Sequence, residues 1–156
     1  MATFEPELVA AQPTTTAVVR AVVPVAGLTG FFDSSFRELV TTTSGQGAAL
    51  LGPAFALYRG PLVGTVDLEV GFPVDRTVRA EGTVVASELP GGRLATVTHH
   101  GSFDGLAGAW ARLAEWLREQ GHIPGAQRWE VYVTRPSPEM DPRDLRTDLF
   151  WPVGVS

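Results

Sequence analysis

The chain is written twice, and a duplicated chain folds most readily as two copies of one supersecondary unit, which narrows its architecture more than any other feature. "PAFALYRGP" (53–61) reads against "QRWEVYVTRP" (127–136), setting Phe55 against Trp129 and Tyr58 against Tyr132 at an offset of 74 residues. Downstream, "VDLEVGFPV" (66–74) reads against "TDLFWPV" (147–153), both with Asp-Leu and Pro-Val about an aromatic. Upstream, "ELVAAQPTTTAVVRAVV" (7–23) reads loosely against "TVVASELPGGRLATVTH" (83–99), with Ala10 against Ala86 and Pro13 against Pro90. These stretches are β-prone, so each half carries two early strands and two late ones.

A helix-period segment separates the early strands from the late ones. In "SFDGLAGAWARLAEWLREQG" (102–121), Phe103, Leu106, Trp110, Leu113 and Leu117 recur at spacings of three and four, with Ser102 as N-cap and Gly121 as the stop. Its counterpart "LTGFFDSSFRELV" (28–40) puts Leu28, Phe31, Phe32, Phe36, Leu39 and Val40 on one stripe before the polar "TTTSGQG". The expected fold is therefore α+β: a single domain over 1–156 made of two pseudo-twofold-related ββαββ units, about 1–75 and about 76–156, joined through "VDRTVRAEG" (74–82). Their antiparallel sheet would carry both helices on one face and leave the other face as a concave ligand cleft.

Within "QRWEVYV" (127–133) alternation places Glu130 and Tyr132 on one face and Trp129, Val131 and Val133 on the other. A carboxylate inside an apolar strand is the chain's most informative polar residue. The expectation is that Glu130 and Tyr132 look into the cleft, with Tyr58 and Asp67 or Glu69 from the other half, and that Trp129 packs under the helix. The plainer alternatives are a solvated glutamate on an open sheet for Glu130, and an exposed residue or an arginine partner for Glu69. Trp110 and Trp116 have spacings that suit core or rim packing.

Composition removes whole classes of chemistry. Without cysteine there is no disulfide framework, thiolate nucleophile or zinc ribbon. All 12 basic residues are arginine, which excludes a Schiff-base or P-loop lysine. The net charge of −5 and the scattered arginines argue against direct nucleic-acid binding. No apolar run nears the roughly 18 residues of a membrane span, and the acidic start "MATFEPELVAAQP" lacks the features of a signal peptide, so a soluble cytoplasmic chain without membrane contact is expected. His99 and His100 are adjacent in a strand and point to opposite faces, and His122 has no metal-ligand spacing, so no metal site is expected. Either of the paired histidines could border the cleft as a donor. "SGQGAALLG" lacks GxGxxG and reads as a loop, and no GxSxG elbow is present.

"LYRGP", "VDLEVGFPV", "LPGGRLATVTHHGSFDGL", the "AW…L…WL…G" helix, "WEVYV" and "DP…RTDLFWPV" together resemble the GyrI-like family, the gyrase-inhibitory-protein or effector-binding domain also found in AraC-type and MerR-type regulators. The resemblance covers nearly the whole chain and implies two strand–helix–strand–strand units about a pseudo-twofold axis. It further implies a cleft for small aromatic, sometimes cationic compounds, with a buried glutamate where Glu130 stands. With the alternation of the strands and this resemblance taken together, Glu130, Tyr132, Tyr58, Glu69, Phe103 and His100 are the ligand-binding residues expected, with no cofactor. The length leaves no room for a DNA-binding module, so a stand-alone monomer with a small-molecule partner is expected. Some stand-alone relatives are hydrolases that open cyclopropane rings of DNA-alkylating natural products, and for an enzyme Glu130 and Tyr132 would be the catalytic pair. A third reading, restraint of DNA gyrase, has no separate signature in the sequence.

Overall fold

Among the described residues of the computed structural model, eight strands and two helices follow one another in the order that the repeat predicts. The first repeat gives β1 (Glu7–Ala11), β2 (Thr14–Pro24), α1 (Leu28–Gly45), β3 (Phe55–Val63) and β4 (Thr65–Pro73). The second gives β5 (Val84–Leu89), β6 (Gly92–His100), α2 (Leu106–Glu119), β7 (Gln127–Tyr132) and β8 (Arg146–Pro152). The structure describes residues 4–134 and 141–154, so Arg135 and Pro136 of the second repeat motif lie outside the described residues.

The strands pair within two compact α+β units, one of residues 12–90 and one of residues 1–11 with 91–156. In the 12–90 unit the strand order is β3-β4-β2-β5, and in the other it is β1-β6-β8-β7, with the described ladders antiparallel. Each unit thus takes one strand from the other repeat: β5 lies on β2 with Leu89 opposite Thr14, and β1 lies on β6 with Ala11 opposite Gly92. The two repeats exchange their first strands in the same register, because equivalent edges accept either copy.

Each helix enters through a short 3-10 turn, Val25–Gly27 before α1 and Phe103–Gly105 before α2. Ser102 makes no side-chain cap; its carbonyl accepts the Gly105 N–H at 3.1 Å instead. Gly121 closes α2 at φ +76°, a conformation few other residues adopt, while the His122 N–H reaches back to the Leu117 carbonyl at 2.9 Å. The buried stripe of α2, Ala109, Trp110, Leu113 and Leu117, packs on Ala95 and Val97 of β6 and Leu149 of β8.

Two further expectations change. α1 does not end at Val40 but runs through the threonines to Gly45. Thr41 and Thr43 return their hydroxyls to the Arg37 and Leu39 carbonyls at 3.1 and 2.8 Å, and Thr42 and Thr43 are buried, so packing overrides weak helix propensity. The second change concerns faces. Glu130 stands opposite Leu149, which belongs to the cluster under α2, so Glu130 and Tyr132 lie on the helix-covered face. Trp129 lies on the other face, stacked on its cross-strand partner Phe150 at 5.5 Å. Alternation tells which residues share a face; the cross-strand register decides which face the helix takes.

Candidate functional site

The two units can be compared rung by rung, because the register aligns them. In the 12–90 unit, Val19, Val70 and Ala56 form one rung across β2, β4 and β3, and Ala21, Leu68 and Tyr58 form the next on the same face. The corresponding rungs of the other unit are Val97, Leu149 and Glu130, then His99, Thr147 and Tyr132. Counting from the two helix starts, Trp110 of α2 stands where α1 has Phe32. The rung that holds Ala56 in one copy thus holds an acid, Glu130, in the other, and Trp110, in the place of Phe32, supplies an N–H to hold it.

Glu130 is 5 % exposed. One carboxylate oxygen accepts the Trp110 indole N–H at 3.0 Å and the other accepts the Tyr132 hydroxyl at 2.8 Å. Burial pushes the Glu130 carboxyl above the usual carboxylate range, against the pull of these two hydrogen bonds and of the nearby Arg128 and His99. Aromatic rings surround the acid: Trp110 meets Trp151 edge to face at 5.6 Å, and Phe103 meets Tyr132 in the same manner at 5.8 Å. Phe103 is 42 % exposed and forms the outer edge of this cluster. A buried acid of raised proton affinity with an aromatic surround can attract an organic cation when ionised, or give up a proton when neutral.

His99 is fixed beside this cluster by the 3-10 turn. Its Nε2 lies 2.9 Å from the Ser102 carbonyl oxygen, and a Cβ on Gly105 would come within 2.8 Å of the imidazole Cε1, so the turn crosses the ring only because residue 105 is glycine. The Thr147 hydroxyl, fully buried between His99 and Tyr132 in its rung, has no hydrogen-bond partner among the described residues.

The remaining expected residues lie elsewhere. Tyr58 is buried on the α1 face of its unit, opposite Leu68, and so does not share a face with Glu69. Glu69, fully buried, accepts Arg59 Nη2 at 2.7 Å and the Ser87 hydroxyl at 3.1 Å, with Arg20 Nε at 3.5 Å. Its carboxylate is engaged by arginine, the plainer of its two sequence readings. Asp67 is exposed, 4.0 Å from Arg59. His100 is exposed opposite Arg146, on the face away from His99. His122 lies beside Trp116, with ring centroids 6.4 Å apart. No group of three or more His, Asp or Glu able to hold a metal occurs among the described residues, and no helix among them is long and apolar enough to cross a membrane.

Trp151, Arg128 and Thr147 were not expected from the sequence, His99 was read only as one of two histidines that could border the cleft, and Trp110 only as packing. The signal that finds them is the difference between repeats at matched positions, above all Trp110 for Phe32 and Glu130 for Ala56. A shallow groove lined by Phe4, Pro6, Arg112, Glu115, Trp116 and Glu119 shares none of these residues.

The sequence model of the GyrI-like small molecule binding domain matches residues 59–154, and the chain belongs to that family. Among solved structures it is similar to the C-terminal domain of EcmrR, at 20% identity and TM-score 0.83 over 97% of this chain and 98% of that one. It also matches EcmrR in a DNA complex, at 20% identity and TM-score 0.85, covering 96% of this chain and 57% of that longer one. A hydrolase from Listeria innocua matches at 14% identity and TM-score 0.69 over 96% of this chain and 92% of that one. A protein bound to tetraphenylphosphonium matches at 11% identity and TM-score 0.66 over 98% of this chain and 94% of that one. At these identities the likeness is one of fold.

Proposed function

We propose that the chain binds small aromatic or amphipathic organic molecules, cationic ones foremost, at Glu130. The observation that carries this reading is the replacement of Ala56 and Phe32 of one unit by Glu130 and Trp110 in the other. A carboxylate in an otherwise apolar core is costly to keep ionised, and two neutral donors offset that only in part. A ligand cation supplies a counter-charge in contact with the carboxylate while its apolar groups take the ring faces of Trp110, Trp151 and Phe103. Tyr132 orients the carboxylate. The fold-level likeness to a protein bound to tetraphenylphosphonium supports the choice of that ion as first probe.

Hydrolysis is the second reading, favoured by the raised proton affinity of Glu130 with the Tyr132 hydroxyl at 2.8 Å and by the fold-level likeness to a hydrolase. A protonated Glu130 would act as general acid toward a strained ring conjugated to a carbonyl, and water would add across the opened carbon–carbon bond. Titration calorimetry with tetraphenylphosphonium, beside mass analysis of cyclopropane-bearing alkylators incubated with the protein, separates the two. Saturable heat with unchanged alkylator mass supports binding alone. One water gained per alkylator over many turnovers makes the site catalytic. Neither heat nor product at millimolar concentration overturns both readings.

A further inference from the structure

The ring faces beside Glu130 are already covered by a cation that belongs to the chain. The guanidinium of Arg128 lies 4.7 Å from the Trp110 ring centroid and 5.1 Å from that of Trp151. Trp110 is also the residue whose N–H holds Glu130, and Arg128 precedes Glu130 by two positions in β7, on the same face of the strand. A guanidinium suits this place because it is planar, weakly hydrated and permanently charged, so it stacks on indole where an ammonium would prefer water. In the other repeat, at the 74-residue offset of Tyr58 and Tyr132, the counterpart of Arg128 is Ala54, so cation, acid and indole occur together in one copy only.

Resting on the reading of Glu130 as the ligand anchor, we propose that Arg128 is a specificity-determining residue, a tethered cation that competes with cationic ligands for the Trp110 and Trp151 faces. A ligand cation binds by displacing the guanidinium from the rings. An anion of the same shape leaves it in place and pairs with it. The chain therefore discriminates less between ligand charges than an aromatic box with a single carboxylate would, and Arg128 sets the balance.

Tetraphenylphosphonium and tetraphenylborate, alike in shape and opposite in charge, are the probes. Calorimetry on wild type, Arg128→Met, Arg128→Lys and Glu130→Gln gives the ratio of their affinities. Arg128→Met keeps an apolar stem over the rings and should bind the phosphonium about fivefold to tenfold tighter and the borate more weakly, with Arg128→Lys between it and wild type. Glu130→Gln should move the ratio the other way. If both Arg128 variants stay within about twofold of wild type while Glu130→Gln weakens phosphonium binding, the Arg128 proposal is overturned and the Glu130 site stands. If Glu130→Gln also changes nothing, the site itself is misplaced.

Discussion

The indole N–H of Trp110, on α2, donates to the carboxylate of Glu130, on β7, over 3.0 Å, and ties helix to sheet through a buried polar bond. Trp110→Phe removes the donor while keeping most of the ring. The carboxylate then has one hydrogen bond fewer in a site that water reaches poorly, and the loss should be about 1–3 kcal/mol by urea denaturation. A change in stability no larger than that of an exposed substitution would mean that the bond contributes nothing.

The titration of Glu130 has a definite sign. Its carboxyl is held above the 4.5 of a free glutamate, so between that value and the folded one the folded chain keeps a proton that the unfolded chain has released. The group's contribution to stability falls as pH rises through that window and is level on either side. Glu130→Gln cannot titrate, so its stability relative to wild type should grow as pH rises above the free-glutamate value, at fixed ionic strength. A gap that stays constant or narrows over that range would show that Glu130 is not held in its neutral form.

Glu69 should behave as a structural acid. Glu69→Ala leaves Arg59, whose side chain is 23% exposed, without the carboxylate it meets at 2.7 Å, and should lower stability by about 3 kcal/mol. Replacing Arg59 by Met in the same chain should recover part of that loss. Thermal unfolding of the single and double variants checks both statements; additive losses would show that the two residues do not act as a pair.

Two glycines make opposite predictions. A Cβ on Gly71, in β4, would overlap the Ala17 carbonyl oxygen and the Val18 side chain across the strand pair, so Gly71→Ala should lower stability by more than about 2 kcal/mol. Gly30 lies exposed within α1, and a Cβ there meets nothing within 4 Å. Gly30→Ala should raise stability by about 0.5–1 kcal/mol, through helix propensity alone. Denaturation midpoints that fail to move in opposite directions would contradict the packing described for these positions.

Much of this was legible in the sequence, because a repeat leaves landmarks such as Tyr58 and Tyr132, and alternation in "WEVYV" puts Glu130 and Tyr132 together. What stayed hidden depends on partners from other elements. The face taken by α2 follows from the register that sets Glu130 opposite Leu149, and no single strand contains that information. Trp110 and Arg128 come to Glu130 from a helix and from a neighbouring strand position, and an arginine stacked on indole has no spacing signature. The extension of α1 through its threonines depends on burial, which outweighs their weak helix propensity. The exchange of β1 and β5 is invisible because both edges satisfy the same pattern.

On the proposed reading, Glu130 anchors a ligand by its charge. Calorimetric titration of wild type and Glu130→Gln with tetraphenylphosphonium, at matched pH and with both proteins shown folded by near-ultraviolet circular dichroism, tests it most directly. Wild type should bind saturably and Glu130→Gln at least about tenfold more weakly, the equivalent of one desolvated charge contact. Equal affinities would contradict it and place the ligand away from the Trp110, Glu130 and Tyr132 cluster.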